Sequence, residues 1–279
     1  MKTWTKFALV ALFLILVGFW LVPFFAGEKF INPIFFAFGG FTVYWYGFLI
    51  TMAIILGTLL SIKYVNRFFG FDIDTMLTAV IWLIIGGMVG ARLVFVILKW
   101  SFFAGDWIQI LHYTQGGLSI HGAILGGLAA LAIYAHMAKL PVLKFANLFI
   151  PAVVLGQAIG RFGNFFNQEA FGGPTDLPWK MFVSPEFRPE TLQTVVFFHP
   201  TFLYESIGLL IILVVLLSLL KRNPSVLFGW YLVLYSSLRF VIEFFRIDSD
   251  MWEMFTVAQW ASIGIVIVGV WLIAKYKKS

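Results

Sequence analysis

The chain has 279 residues, 61% of them hydrophobic and only 11% charged, with a formal net charge of +6 and a mean hydropathy of +0.96. A soluble domain is about one quarter charged, so this composition excludes both a water-soluble globule and a disordered chain. Cysteine is absent, which excludes disulfides, thiolate metal sites and a cysteine nucleophile within the chain. No repeat of solenoid length recurs. The basic residues are scattered between apolar runs, a pattern that orients membrane spans rather than one that binds nucleic acid.

A membrane helix needs about 20 mostly apolar residues. Such spans are predicted near 7–26, 44–63, 76–98, 118–138, 145–160, 201–220, 226–245 and 255–274, an all-α polytopic membrane bundle with both termini cytoplasmic. Residues 1–26 read as an N-terminal anchor, with a signal-like segment as the alternative. Lys2 and Lys6 precede the apolar stretch, but Phe24 would stand before a cut after Ala26 where a small residue is wanted. Residues 27–279 read as a single transmembrane domain. Its fifth span is short, and the segment near 161–200, broken by Pro174, Pro178, Pro185 and Pro189, is predicted to form a small outer-side lobe. The pairs Gly86-Gly87 and Gly126-Gly127 are read as close helix packing.

With the N-terminus inside, the inner segments carry Lys2, Lys6, Lys63, Arg67, Lys139, Lys144, Lys221, Arg222, Lys275, Lys277 and Lys278. The longer outer segments carry only Lys29, Lys99, Arg161, Lys180, Arg188 and Arg246. That asymmetry sets the predicted orientation, and Trp45, Trp100, Trp107, Trp179 and Trp252 fall at or beyond the outer interface.

Ionisable groups inside membrane helices are costly and are therefore candidates for function. Arg92, His121, Glu205, Arg239 and Glu243 all lie near outer ends of spans; Tyr46 opens the second span, and Arg161, Asn164, Asn167 and Glu169 follow the fifth. All share one depth. Arg239 and Glu243 are spaced i,i+4 and can pair, with Arg246 a further turn along. A self-satisfied ion pair is the alternative for Arg239 and Glu243, and snorkelling the alternative for Arg92. Together these groups suit an anion, and the guanidinium fork suits phosphate. His121 is flanked by Gly116-Gly117 and Gly122, which leave the ring accessible, and imidazole chemistry suits a base near neutral pH. His112 and His136 read as interfacial, and His199 before Pro200 equally as a cap or a functional group. His121, His199 and Glu205 lack any metal-site spacing, so no metal is predicted. No GxSxG elbow occurs.

The run Gly160-Arg161-Phe162-Gly163-Asn164-Phe165-Phe166-Asn167-Gln168-Glu169-Ala170-Phe171-Gly172 resembles the signature of bacterial prolipoprotein diacylglyceryl transferases, G-R-x-G-N-F-x-N-x-E-x-x-G, at every fixed position. Other family-like motifs follow in order: Trp45-Tyr46-Gly47, Gly90-Ala91-Arg92-Leu93, Ser119-Ile120-His121-Gly122, His199-Pro200-Thr201 with Leu203-Tyr204-Glu205, and Arg239 through Arg246. The resemblance spans roughly residues 30–275, with departures at Tyr44, Ala123, Gly173 and Phe202. It implies seven family-like helices plus an extra N-terminal one, in the bacterial cytoplasmic membrane with the site towards the outer leaflet. It implies transfer of the diacylglyceryl group from phosphatidylglycerol to the lipobox cysteine of a preprolipoprotein, with release of glycerol phosphate and no cofactor. The missing cysteine fits, because the nucleophile arrives with the substrate. Arg161 and Arg239 would neutralise the leaving phosphate and His121 would be the base. Tyr46, Asn164, Glu169, Gly172, Glu243, Arg246 and Arg92 would bind or order the substrate. Of these, Glu169 and Glu243 would orient arginines, Asn164 and Tyr46 would hydrogen-bond the headgroup or order the arginines, and Gly172 would meet a backbone need. The alternative is a non-catalytic phospholipid-binding membrane protein or an anion transporter. A transporter should carry polar groups through the midplane and an inverted repeat, and neither is visible.

Overall fold

The computed structural model describes residues 16–103, 105, 107–111, 117–247 and 249–277. The basic start of the N-terminal segment and His112 lie outside the described residues. Helix α1 (Leu16–Phe25) leads through strands β1 (Ile34–Phe38) and β2 (Phe41–Tyr44) into α2 (Trp45–Tyr64). Then come α3 (Ile73–Leu98), the single turn α4 (Trp100–Phe103), α5 (Ile120–Met137) and α6 (Val142–Asn167). After short strands β3 (Met181–Phe182) and β4 (Phe197–Phe198), the chain continues as α7 (Thr201–Leu220) and α8 (Leu227–Ile242). Strands β5 (Met251–Trp252) and β6 (Phe255–Thr256) precede α9 (Val257–Tyr276). Seven of the described helices are long and apolar enough to cross a membrane, and α1 is a shorter apolar one. The protein is a multi-pass membrane helix bundle. Ile85, Val89, Ile97, Ile124, Leu125, Ile211, Val214 and Ile267 are all exposed on its flanks. In water so extensive an apolar surface would drive aggregation; in lipid it is the matching solvent face.

The helices pack through small residues, as they must where lipid offers no hydrophobic drive to association. On antiparallel α3 and α5, a Cβ on Gly90 would strike the Gly122 carbonyl oxygen, and one on Gly126 the Gly86 carbonyl oxygen. The predicted use of these glycines in close packing is therefore seen. A second seam joins α2 to α6: Gly57 meets Ala152, Gly156 meets Ala53, Gly160 faces Ile50, and Gly163 lies under the ring of Tyr46. This seam explains the main departure from the sequence reading. The fifth span does not stop near residue 160 but runs 26 residues to Asn167, because small residues keep it against α2 for its whole length. Arg161, Asn164 and Asn167 are therefore helical residues, not loop residues. The helix ends where Gln168 turns left-handed at φ 50°.

Two cores hold the bundle. At the end away from Arg161, Val65, Phe69, Met76, Ala79, Leu131, Ala135, Phe145, Leu148, Leu209, Leu216 and Leu227 bury together. At that end Asn147 ties α6 to α8, its amide donating to the Ser225 carbonyl at 3.0 Å and accepting from the Phe228 N–H at 2.7 Å. Asp72 caps α3 there by accepting the Thr75 N–H at 2.6 Å, and that hydrogen bond holds its carboxyl below the ordinary range. At the Arg161 end, the segment 168–200 packs as short strands and turns against the helix ends, seven residues shorter than the expected 161–200 because 161–167 belong to α6. Its core joins Phe171, Met181, Val183 and Phe198 to Phe165 and Phe166 of α6, Phe202 of α7 and Leu21 of α1. The hairpin β1–β2 at this end was not foreseen; Phe36, Phe38 and Phe41 stand exposed on it.

Candidate active site

Three helices bring the site together at the lobe end. Arg161 on α6 pairs through Nη2 with Oε1 of Glu205 on α7 at 2.5 Å, and Glu205 is buried. The Tyr235 hydroxyl of α8 donates to the same carboxylate oxygen at 3.5 Å and lies within hydrogen-bonding reach of Arg161. One turn further along α8, Arg239 pairs through Nη2 with Glu243 at 2.6 Å, the i,i+4 pairing expected from the spacing. The Glu243 carboxylate also accepts the Thr256 hydroxyl at 3.1 Å. Thr256 caps α9 in a reciprocal capping box with Gln259, so α9 is anchored to the carboxylate that aims Arg239. The other nitrogen of this fork, Nη1 of Arg239, is buried with no hydrogen-bond partner among the described residues. An unpaired cationic donor held in a low-dielectric setting is prepared for an anion.

The end of α6 supplies the polar rim. Glu169 accepts from the amides of Asn164 at 2.9 Å and Asn167 at 3.2 Å. The sequence reading had Glu169 orient an arginine. Instead it binds the asparagines, and Glu205 holds Arg161. Tyr46 stacks over Gly163, where any side chain would collide with its ring, and lies within electrostatic reach of Glu169 and Arg161. Gly172 is closely enclosed: a Cβ there would come within 2.6 Å of the Phe245 carbonyl oxygen and 2.8 Å of His199 Cβ. Its N–H donates to the His199 carbonyl at 2.9 Å, and it bridges Arg246 on the strap following α8. His199 itself hydrogen-bonds through Nδ1 with the Tyr204 hydroxyl at 3.1 Å, which also accepts from Trp179 at 2.8 Å. Burial holds the His199 imidazole below its ordinary pKa. A crevice of about 520 Å³ opens beside Glu169, lined also by Asn167, Glu186, Arg188 and Ile247.

Two predicted residues sit apart from this group. The guanidinium of Arg92 is buried on α3 and donates to the carbonyls of Ile110, Gly117 and Gln109 at 2.8, 2.9 and 2.5 Å. It lies against the rings of Phe103 and Phe95, so it clamps the segment between α3 and α5. His121 is exposed in the first turn of α5. The α3–α5 pair joins the main core through Met76, Ala79, Leu131 and Ala135, all towards the far end, so His121 stands on a separate pair of helices.

The sequence model of the family described as prolipoprotein diacylglyceryl transferase matches residues 33–275. The chain belongs to this family. The phosphatidylglycerol--prolipoprotein diacylglyceryl transferase of Synechocystis sp. is 41% identical to it, over 86% of this chain and 89% of the relative. That of Acaryochloris marina is 42% identical over 86% and 90%, and that of Thermotoga maritima 38% identical over 96% and 94%. The signature run spans the last turns of α6, which carry Gly160, Arg161, Gly163, Asn164, Phe165 and Asn167, and the segment just beyond it, which carries Glu169 and Gly172. Sequence reasoning left out Tyr235, and it left Glu205 without a partner. The i−4 spacing of Tyr235 from Arg239 was the available signal, since that spacing puts both on one face of α8.

Proposed function

We propose that this protein transfers the diacylglyceryl group of phosphatidylglycerol to a cysteine thiol in the lipobox of a preprolipoprotein, the first step of lipoprotein maturation. The observation that carries the reading is the pair of carboxylate-held arginines at the lobe end, one with an open buried donor, in a chain whose relatives bear that activity in their names. The thiol loses its proton to a base, and the thiolate attacks the glycerol carbon that carries the phosphate. A carbon–sulfur bond forms as the carbon–oxygen bond breaks, and its electron pair leaves on glycerol phosphate. The phosphate thereby gains a second negative charge. Arg161 and Arg239 stabilise that charge, each pre-aimed by its carboxylate, so little reorganisation accompanies the step. Tyr46, Asn164, Glu169 and Arg246 order the headgroup region, and Gly172 lets the lobe close on the strap. Arg92 acts by fixing the segment that leads to His121. His121, exposed and with no hydrogen bond to its ring among the described residues, is the base. The bundle sits in the bacterial cytoplasmic membrane with the lobe outside, because Lys63, Arg67, Lys139, Lys144, Lys221 and Arg222 gather at the opposite end. There the diacyl tails stay in the bilayer while the headgroup enters protein.

The test is direct. Purified protein, phosphatidylglycerol vesicles and a lipobox peptide should yield a peptide heavier by one diacylglyceryl group. An unchanged peptide mass under conditions where the protein is folded overturns the reading.

A further inference from the structure

One polar pair lies deeper than the arginines and has no part in the chemistry above. Gln157 on α6 donates through its amide to the Tyr231 hydroxyl of α8 at 3.0 Å. Its own carbonyl oxygen, Oε1, is buried with no partner among the described residues. Gln157 is one helical turn from Arg161, and Tyr231 is one turn from Tyr235 and two from Arg239. At 1.5 Å rise per residue the pair lies about 6 Å below Arg161 and about 12 Å below Arg239 along the helices. Tyr231 stacks on Tyr235 with ring centroids 5.6 Å apart and planes 6° from parallel. The Tyr235 hydroxyl reaches Glu205, so the pair is continuous with the Arg161 group.

The hydrogen-bond inventory of this pair leaves a donor over. With the amide as described, its N–H points at the tyrosine oxygen, and the tyrosine's own proton needs an acceptor elsewhere. With the amide turned over, the tyrosine proton satisfies Oε1, and both amide N–H groups are free. The first arrangement also leaves Oε1 an orphaned acceptor, whereas the turned-over one leaves donors alone, and it presents neutral donors at hydrocarbon depth, where water does not compete and an unmet polar group is costly. A helix-to-helix tie would consume both partners; this one does not. The matching ligand is a neutral acceptor that sits one step deeper than a phosphate held at the arginines. In a diacyl glycerophospholipid that acceptor is an ester carbonyl, borne through oxygen on the two glycerol carbons that do not carry the phosphate.

We propose that Gln157 and Tyr231 form a subsite for an acyl-ester carbonyl of the lipid donor, so that phosphate and ester grips together present the reacting glycerol carbon. This rests on the transfer reaction proposed above. It makes the two residues determinants of donor specificity: the protein distinguishes ester-linked from ether-linked lipid, because an ether lacks the carbonyl.

The experiment measures peptide lipidation with two donors of equal chain length, diester phosphatidylglycerol and its dialkyl-ether counterpart, in the same vesicles. The wild-type protein should turn over the diester about three- to tenfold faster at limiting donor, the equivalent of one hydrogen bond. In Gln157→Leu and in Tyr231→Phe, which keeps the ring and its stacking, the diester-to-diether ratio should collapse towards one, chiefly through KM for lipid. A wild-type ratio of one, or variants that lower both donors alike and keep the wild-type ratio, overturns the subsite and leaves the pair a packing tie. Should either variant fail to fold, the wild-type ratio still decides. Absence of any lipidation by wild-type protein with the diester counts instead against the transfer reaction itself.

Discussion

Gly163 carries no side chain because the Tyr46 ring stands where one would be, and Gly172 none because the Phe245 carbonyl stands there. The two differ in what can yield. A tyrosine ring can swing aside, but a carbonyl held by the Gly173 N–H at 2.8 Å cannot. Gly172→Ala should therefore cost about 1–3 kcal/mol of stability, read as an earlier thermal transition in detergent, whereas Gly163→Ala should move Tyr46 and lower turnover with a smaller loss of stability. Arg161→Lys and Arg239→Lys keep the charge but lose the fork, and should still slow lipidation. The alanine variants should be slower by about a hundredfold, near 3 kcal/mol in transition-state terms; near-normal rates in both would remove them from the phosphate step. If His121 is the base, the defect of His121→Gln should shrink as pH rises towards the free thiol's own pKa of about 8.5. A defect that stays equally large from pH 6.5 to 9 would mark a positioning role. His199 gives a pH signature of the opposite sense. Burial lowers its pKa, so the unfolded chain takes up the proton first. Its contribution is intact above about pH 6.5 and is lost as pH falls through the lower folded value. The lobe should become protease-sensitive on acidification, and His199→Gln should flatten that dependence. At this scale the local pairings were legible, since the signature run and the i,i+4 spacing of Arg239 and Glu243 are written within short stretches of chain. The partner of Arg161 was not readable, because Glu205 comes from another helix and no local spacing connects them.

Among the elements, α6 is the one the sequence understated. Polar Gln157, Arg161, Asn164 and Asn167 dilute its hydrophobicity, so composition ended it early, while the small residues facing α2 continue it to Asn167. The seven long helices were otherwise legible from apolar length alone. The hairpin β1–β2 was not, because its strands of five and four residues carry phenylalanines that read equally as span flanks. Asn147 tests how α6 is held: Asn147→Leu leaves the Phe228 N–H and the Ser225 carbonyl unpaired in an apolar core. It should cost about 1–3 kcal/mol per orphaned group, measurable as a lowered melting temperature with the lobe's protease resistance retained. Leu21→Ala on α1 should do the reverse. It opens the aromatic core around Phe165 and Phe166, loosens the lobe, and leaves the far core intact, with a cost of about 2–5 kcal/mol if the site cannot collapse.

At the scale of the whole molecule, the ionisable candidates crowd one end and the surplus lysines and arginines the other. The positive-inside rule then puts a reporter fused after the last residue in the cytoplasm and one inserted at 174–190 outside; the reverse pattern in either fusion would invert the site. The described helices run without the midplane breaks that a transporter uses to bind its cargo. The exposed phenylalanines of the β1–β2 hairpin and the exposed Trp100, Trp107, Trp179 and Trp252 lie at the lobe end, the composition of a surface that rests at headgroup depth.

The aromatic core under the lobe also dictates an order of assembly. Leu21 leaves the ribosome early, but its partners Phe165, Phe166, Phe198 and Phe202 are separated from it by most of the chain, so no local contact can close this region. A nascent chain halted after α6 already holds Arg161 and the asparagines, yet has nothing to fold over them. The lobe therefore closes late, and stalled chains released one helix at a time should acquire a protease-resistant lobe only once α7 has entered the bilayer, with the arginine pair completed when α8 follows.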